Sequence, residues 1–300
     1  MRYSFIKANK DNWSVKLLCR VLAVSRSGYY AWAKRDKSKR SKVNENLIER
    51  INYFFQKSRQ VYGSPRIHKD LKEAGYQVGE NRVARLMKEA GIKAKSKRKY
   101  KLTTNSKHKR PKAANLIKQN FKTKESNKLW AADISYISTQ EGWLYLAVVL
   151  DLFSRKVIGW SFSERLKDDI TIAALEMAIK QRLNKERIKT KTAAAIICHS
   201  DQGSQYASKS YLKTLKDNNL IASMSNKGNC YDNAVLESFF ASLKTEEADK
   251  PYNTRQEAKT AIFDYIESFY NNTRRHSSLD YLSPDEYERR YNQAKELSLF

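Results

Sequence analysis

The chain has 300 residues, 41% of them hydrophobic, and contains no apolar run near the length of a membrane span. This allows two or three domains with a sizeable core and argues against an integral membrane protein. Its formal net charge of +26 lies wholly in the first part: residues 1–128 hold 35 Lys and Arg against 9 Asp and Glu, while residues 129–300 hold 23 of each. Such asymmetry implies a module that grips a polyanion joined to one with a different task; the basic stretches lack the apolar face and aromatic anchors of a membrane-surface helix.

Cys19, Cys198 and Cys230 form no CxxC pair, and none of the four histidines stands at zinc spacing from them. A disulfide framework and a conventional zinc knuckle are therefore excluded, and Cys19 and Cys198, in apolar runs, read as core residues. The opening Met1-Arg2-Tyr3-Ser4-Phe5 has no secretory apolar stretch with a cleavage site, so a cytoplasmic location is expected.

Residues 13–34 predict a short helix with Val15, Leu18, Val21 and Leu22 as its stripe, a turn at Ala23 and Val24, and a second helix capped by Ser25. The pair is either a small helix-turn-helix or a hairpin that packs on a neighbour. A charged link, residues 34–42, follows. Residues 43–58 have helical periodicity through Leu47, Ile48, Ile51, Phe54 and Phe55; Pro65 opens a helix that Gly75 breaks, and residues 78–88 form another that Gly91 ends. In this last helix Val83, Leu86 and Met87 share a face while Asn81, Arg82 and Arg85 point elsewhere, which makes it the candidate recognition helix. Arg and Asn form bidentate pairs with guanine and adenine edges. Asn81, Arg82 and Arg85, with Arg66 one helix earlier, are thus candidates for DNA contact; the alternative is a solvated helix face.

Residues 92–128 lose periodicity and turn strongly basic, with Lys97, Arg98 and Lys99 in the densest part. Such a segment buries no core and is expected to be an extended linker whose cations add salt-sensitive, sequence-independent affinity for phosphate.

The remainder alternates in type. Residues 129–137, 143–152 and 156–162 read as three strands, 169–183 as a helix, 193–198 as a buried strand, 207–215 as a helix, 221–224 as a short strand and 233–244 as a helix. Two further helices, residues 256–270 and 284–297, close the chain, the second opened by a Ser283-Pro284-Asp285-Glu286 capping box. Between them Arg274, Arg275 and His276 form a small basic loop that touches either DNA or solvent. Three acids stand out: Asp133 interrupts the first strand, Asp201 follows the buried strand at a glycine turn, and Glu237 lies in the first turns of its helix, 35 residues beyond Asp201. They can converge on one metal site. Taken singly, an aspartate at a strand end is more often a turn cap, as Asp151 is read to be, while Asp232 and Asn233 read as caps of the Glu237 helix.

These acids, together with residues 142–155, 199–206 and 229–234 and the tail carrying Tyr270, Asn271, Arg275, His276 and Ser283-Pro284, resemble the insertion sequence 3 family, specifically the product of that family's second reading frame. The resemblance spans nearly the whole chain. It implies a DDE transposase with a ribonuclease H-like, retroviral-integrase-like core: a mixed five-stranded α/β sheet with helices on both faces, preceded by an all-α helix-turn-helix region. The implied organisation is a short helix-turn-helix segment at 1–42, a DNA-binding helix-turn-helix domain at 43–91, a basic linker at 92–128, the catalytic core at 129–250 and a helical extension at 251–300. Asp133, Asp201 and Glu237 are then the catalytic residues and the ligands of two Mg²⁺ ions, with Mn²⁺ as the alternative, Asp133 bridging both. Phosphoryl transfer by two metal ions needs such hard oxygen donors. Glu237, near a helix amino terminus, is expected to be helped to stay ionised. Lys244, seven residues on and about 10.5 Å along the same face, matches the family's pattern and is expected to reach the phosphates. His199 is expected to support Asp201.

The implied partners are double-stranded DNA, both element terminal inverted repeats and target, a second copy of the chain on DNA, and an upstream-frame product, since the family supplies a further DNA-binding segment by frameshifting and this chain starts after it. The implied location is the bacterial cytoplasm, at the nucleoid. The rivals are a catalytically inactive DNA-binding regulator derived from a transposase, a ribonuclease H-type nuclease, which needs no basic arm, and a serine or tyrosine recombinase, which attaches covalently to DNA.

Overall fold

A computed structural model describes residues 1–36, 38–95, 112–118, 120–121, 123–183, 196–226 and 233–298. Six helices precede the sheet: α1 (Arg2–Asn9), α2 (Val15–Val21), α3 (Arg26–Lys34), α4 (Lys39–Lys57), α5 (Ser64–Glu73) and α6 (Glu80–Glu89). The first three close a small core of their own around Ile6, Leu18, Cys19 and Tyr29. Ser14 and Ser25 each accept a hydrogen bond from the backbone N–H three residues on, and so hold the starts of α2 and α3. The sequence pattern did not anticipate α1.

Helix α4 also begins earlier than expected. Ser38 accepts from the Ser41 N–H, so Lys39–Lys42, read as a charged link, form its first turn, and the boundary expected between residues 42 and 43 falls inside a helix. Lys and Arg are good helix formers once a cap is present. Helices α4, α5 and α6 pack through Leu47, Ile51, Phe55, Ile67, Leu71, Val83, Leu86 and Met87.

The sheet follows. Strands β1 (Leu129–Thr139), β2 (Gly142–Asp151) and β3 (Val157–Ser163) form an antiparallel meander, and β4 (Ile196–Ser200) and β5 (Leu220–Met224) add in parallel beyond β1, in the order β3-β2-β1-β4-β5. That mixed order is the ribonuclease H-like arrangement. Helices α7 (Asp169–Arg182) and α8 (Lys209–Asp217) cover one face, meeting Trp130, Ala132, Val149 and Ile158 through Ala174, Leu175, Ala178 and Leu215. The other face, with Leu129, Ala131, Leu146 and Val148, lies under α9 (Ala234–Glu246) and α10 (Arg255–Asp264) through Leu236, Phe239, Leu243 and Ile262.

A single helix was expected over residues 256–270, but α10 widens at Tyr265 into a π-helical turn, Tyr265–Asn271. That register turns Tyr265, Ile266, Phe269, Tyr270 and Asn271 all inward. A 3₁₀ turn (Ser277–Leu279) and α11 (Pro284–Leu297) complete the chain; Ser283 accepts from the Glu286 N–H and so caps α11, as the capping box predicts. The apolar cluster on this second face runs without a break from the extension into α4–α6. No helix among the described residues is long and apolar enough to cross a membrane.

Candidate active site

Strand geometry brings two of the acids together. Successive side chains on a strand alternate between faces. Since Trp130 and Ala132 belong to the α7 face, Leu129, Ala131 and Asp133 belong to the α9 face. The same alternation on β4 sends Ile196 and Cys198 toward α7 and α8 and His199 to the other face, and Asp201 follows just past the strand. β1 and β4 pair in parallel, with Ala132 opposite Ser200 as the last pair; Asp133 is the next residue on β1 and Asp201 the first residue past β4. Helix α9, which lies across this face, carries Glu237 in its first turn.

The electrostatics agree with that convergence. Burial pushes the Asp133 carboxyl well above the usual aspartate range, and the negative charges of Asp201 and Glu237 add to the rise. Opposing them are the Ile134 N–H, 2.8 Å from Asp133 Oδ1, and the side chain of Asn233. Burial also raises Glu237. Lys244, in the last turn of α9, is half-buried; burial lowers its ammonium while the charge of Asp133 acts the other way, which places the two in electrostatic reach. Among the described residues, no three His, Cys, Asp or Glu side chains are gathered into a ready-made metal group. Asp133 nevertheless feels the charge of both other acids.

Two residues around the acids have roles the sequence reading missed. Asn233 stands at the amino-terminal cap of α9 but makes no capping hydrogen bond; its side chain goes to Asp133 instead. Asp232, read as its fellow cap, lies outside the described residues. Gly203 donates its N–H to Asp201 Oδ1 at 2.8 Å, and a Cβ there would sit 2.9 Å from the same oxygen. A side chain at this position would press on the carboxylate that the backbone holds. Gly203→Ala is expected to displace Asp201 and lower strand cleavage about tenfold or more, with little change in melting temperature. A cleavage assay beside a thermal melt checks this, and an unchanged cleavage rate would count against it.

His199 is fully buried, with Nδ1 2.9 Å from Ser223 Oγ, and so ties β4 to β5 two residues before Asp201. Asp151, the competing acid, is committed to its corner: it accepts from the N–H groups of Asn127 (2.9 Å) and Phe153 (3.0 Å), and burial pushes it up to about 6.

The candidate DNA contacts divide. Asn81 and Arg85 are exposed on α6, Arg85 in a solvent-facing pair with Glu89. Arg82 is half-buried and donates twice to Asn44 Oδ1, at 2.7 and 3.2 Å, which ties α6 to α4. Arg66 lies over the ring of Tyr62, 5.4 Å from its centroid, and its guanidinium is lowered by burial and by Arg274. Its side chain is half-buried, beside the residues that join α5 to α9. Lys97, Arg98 and Lys99 lie outside the described residues.

Known proteins match the chain throughout. A family model described as an integrase core domain matches residues 123–230, a second with the same description matches 237–291, beginning at Glu237, and an HTH-like domain matches 42–100. Transposase InsF for insertion sequence IS3A of Escherichia coli (strain K12) is 41% identical over 96% of this chain and 98% of its own length. The chain belongs to the insertion sequence 3 family of transposases. A 31 kDa protein of insertion element IS600 from Shigella sonnei, described as uncharacterized, is 42% identical to this transposase over 92% of the chain and 99% of the relative. Among solved structures, the HTLV-2 integrase catalytic core domain in complex with magnesium is a distant likeness, 16% identical with a TM-score of 0.40, covering 56% of the transposase and 99% of that core.

Proposed function

We propose that this transposase uses water to cut DNA at the ends of its element and then joins the freed 3′-hydroxyl to a second phosphate by in-line attack, with Asp133, Asp201 and Glu237 as catalytic and metal-holding residues. The observation that carries the reading is that Asp133 on β1 and Asp201 just past β4 each follow the last β1–β4 pair, with Asp133 feeling the charges of both Asp201 and Glu237. The donor set fits the implied cofactor. Three carboxylates are the hard oxygen ligands that Mg²⁺ or Mn²⁺ takes, and a divalent cation would relieve the repulsion that Asp133 feels from the other two. When bound, two such ions make an oxygen nucleophile more reactive and stabilise charge on the departing 3′ oxygen.

The chain's own residues supply position. Asp133, which feels both other acids, would be the shared ligand. The Ile134 and Gly203 N–H groups and the Asn233 side chain fix how the two aspartates point. Lys244 would hold a phosphate beside them. Asn81 and Arg85 on α6 are the open candidates for reading the terminal repeats, and Lys97, Arg98 and Lys99 would add phosphate affinity. The reading extends to an upstream-frame partner, to assembly of several copies on DNA, and to action at the nucleoid in the bacterial cytoplasm.

Metal removal tests it. Nicking of a duplex that carries the element's terminal repeat is expected to stop in chelator and to return with Mg²⁺ or Mn²⁺. Nicking that persists in chelator contradicts the metal site, and DNA binding without nicking under any condition favours the inactive regulator.

A further inference from the structure

Two consecutive arginines, Arg274 and Arg275, reach in different directions, and between them join the helix-turn-helix-like module to the helix of Glu237. Arg274 is 3% exposed. Its Nε and Nη2 donate to the two oxygens of Glu246, each at 2.6 Å, and Nη2 also reaches Ser242 Oγ at 3.2 Å. Glu246 and Ser242 both belong to α9, and the Tyr265 hydroxyl donates to the same Glu246 at 2.8 Å.

Arg275 turns to α5. Its Nε donates to Asp70 Oδ1 at 2.8 Å, and its Nη1 and Nη2 donate to the two oxygens of Glu73 at 2.9 and 2.5 Å. The backbone N–H of Arg275 donates to the Tyr62 hydroxyl at 2.7 Å, and that hydroxyl donates to the carbonyl of Thr273. From the module side, Arg59 pairs with Glu247, the residue that ends α9, and with Asp264 of α10.

Isolated surface ion pairs hold little, but the Arg274–Glu246 pair is forked and buried and Arg275–Asp70 is largely buried, while the more exposed Glu73 grips Arg275 with both oxygens, which fixes direction as well as distance. Helix α5 shares the core of Ile67 and Leu71 with Val83, Leu86 and Met87 of α6. Packed elements therefore run from α6 through α5, Arg275 and Arg274 to α9.

We propose that the Arg274–Arg275 dipeptide is a positioning strap for transposition: it holds the module that carries Asn81 and Arg85 in fixed register with the helix of Glu237, so that DNA seated on the module meets the acids at a set place. The inference rests on the assignments of Glu237 and α6 made above. Neither arginine touches the reacting atoms; Arg274 acts through α9 and Arg275 through α5.

The test compares two duplexes with the full chain: one carrying the complete terminal repeat, the other trimmed from its inner side to remove the part that α6 protects in a footprint. Arg275→Gln is expected to lower single-turnover cleavage of the complete duplex, at saturating protein, by about tenfold or more. Its affinity for that duplex and its rate on the trimmed one are expected to stay at wild-type levels. Asp70→Asn combined with Glu73→Gln removes the same link from the other side and is expected to give the same split, while Arg275→Lys, which keeps the charge without the fork, is expected to fall between. Equal loss on both duplexes would mean a merely structural role and overturn the strap, as would wild-type cleavage of both. Glu237→Gln serves as the control: loss of cleavage there with no split in the Arg275 variants discards the strap alone, whereas wild-type cleavage by Glu237→Gln discards the catalytic assignment and the strap with it.

Discussion

Asp133→Asn is expected to abolish strand cleavage while leaving the fold as stable as before or more so. The carboxyl is held well above its ordinary range by burial and by the charges of Asp201 and Glu237, so the ionised form is disfavoured in the folded chain relative to the unfolded one. A neutral isostere removes that penalty, and its amide can still bond with the neighbours that now hold Asp133. The same substitution removes the charge expected to be shared between the metal ions. Metal stabilisation of the transition state is worth several kcal/mol, which at about 1.4 kcal/mol per tenfold amounts to a loss of roughly 10³-fold or more. Activity and stability should therefore move apart, the signature of a residue kept for chemistry at a cost to the fold. Melting in chelator beside a cleavage assay measures both. A variant that loses stability and activity together would show Asp133 to be a structural residue.

Gly159→Ala is expected to do the reverse and injure the fold without touching the chemistry. Gly159 lies on β3 where α7 crosses, and a Cβ there would fall against the backbone carbonyl of Ala174, 2.8 Å from the Ala178 nitrogen and 2.9 Å from the Ala178 Cβ. Backbone atoms cannot rotate aside, so α7 as a whole would have to move off the sheet. Overpacking of this kind costs about 1–3 kcal/mol, and rigid neighbours put this case at the upper end. Because α7 covers the face opposite Asp133 and Asp201, the folded fraction should cut at the ordinary rate. Urea unfolding checks the first part, through a lower midpoint with an unchanged slope. A midpoint equal to that of the wild type would mean that α7 yields freely at this crossing.

The site was legible where it depends on local pattern. An acid interrupting the apolar strand of residues 129–137, an acid followed by a glycine turn at Asp201, and the helical spacing around Glu237 were enough to suggest that three acids can converge, and the strand order puts Asp133 and Asp201 just beyond the last β1–β4 pair. What the pattern could not give was partnership across long sequence distance. Asn233 looked like a helix cap because its position is one; that its side chain goes to Asp133 depends on how α9 lies over β1. Arg274 and Arg275 looked like a basic loop for DNA or solvent, since nothing local reveals that Glu246, Asp70 and Glu73 await them. Arg66 and Arg82 carry partners of the same hidden kind: a cation on an amphipathic helix does not announce the Tyr62 ring or the Asn44 side chain that it meets in the fold. Gly203 stood inside a quoted motif, but its reason, close approach of backbone to carboxylate, is geometric.

The most direct measurement of the central claim is the appearance of joined element ends in cells that carry a marked element. This chain would be supplied with its upstream frame, as wild type or as Asp133→Asn, Asp201→Asn or Glu237→Gln, with each variant shown to be expressed and soluble. Joined ends are expected from the wild type and from none of the three variants. Joined ends that persist at wild-type frequency in any one of them would remove that acid from the catalytic site.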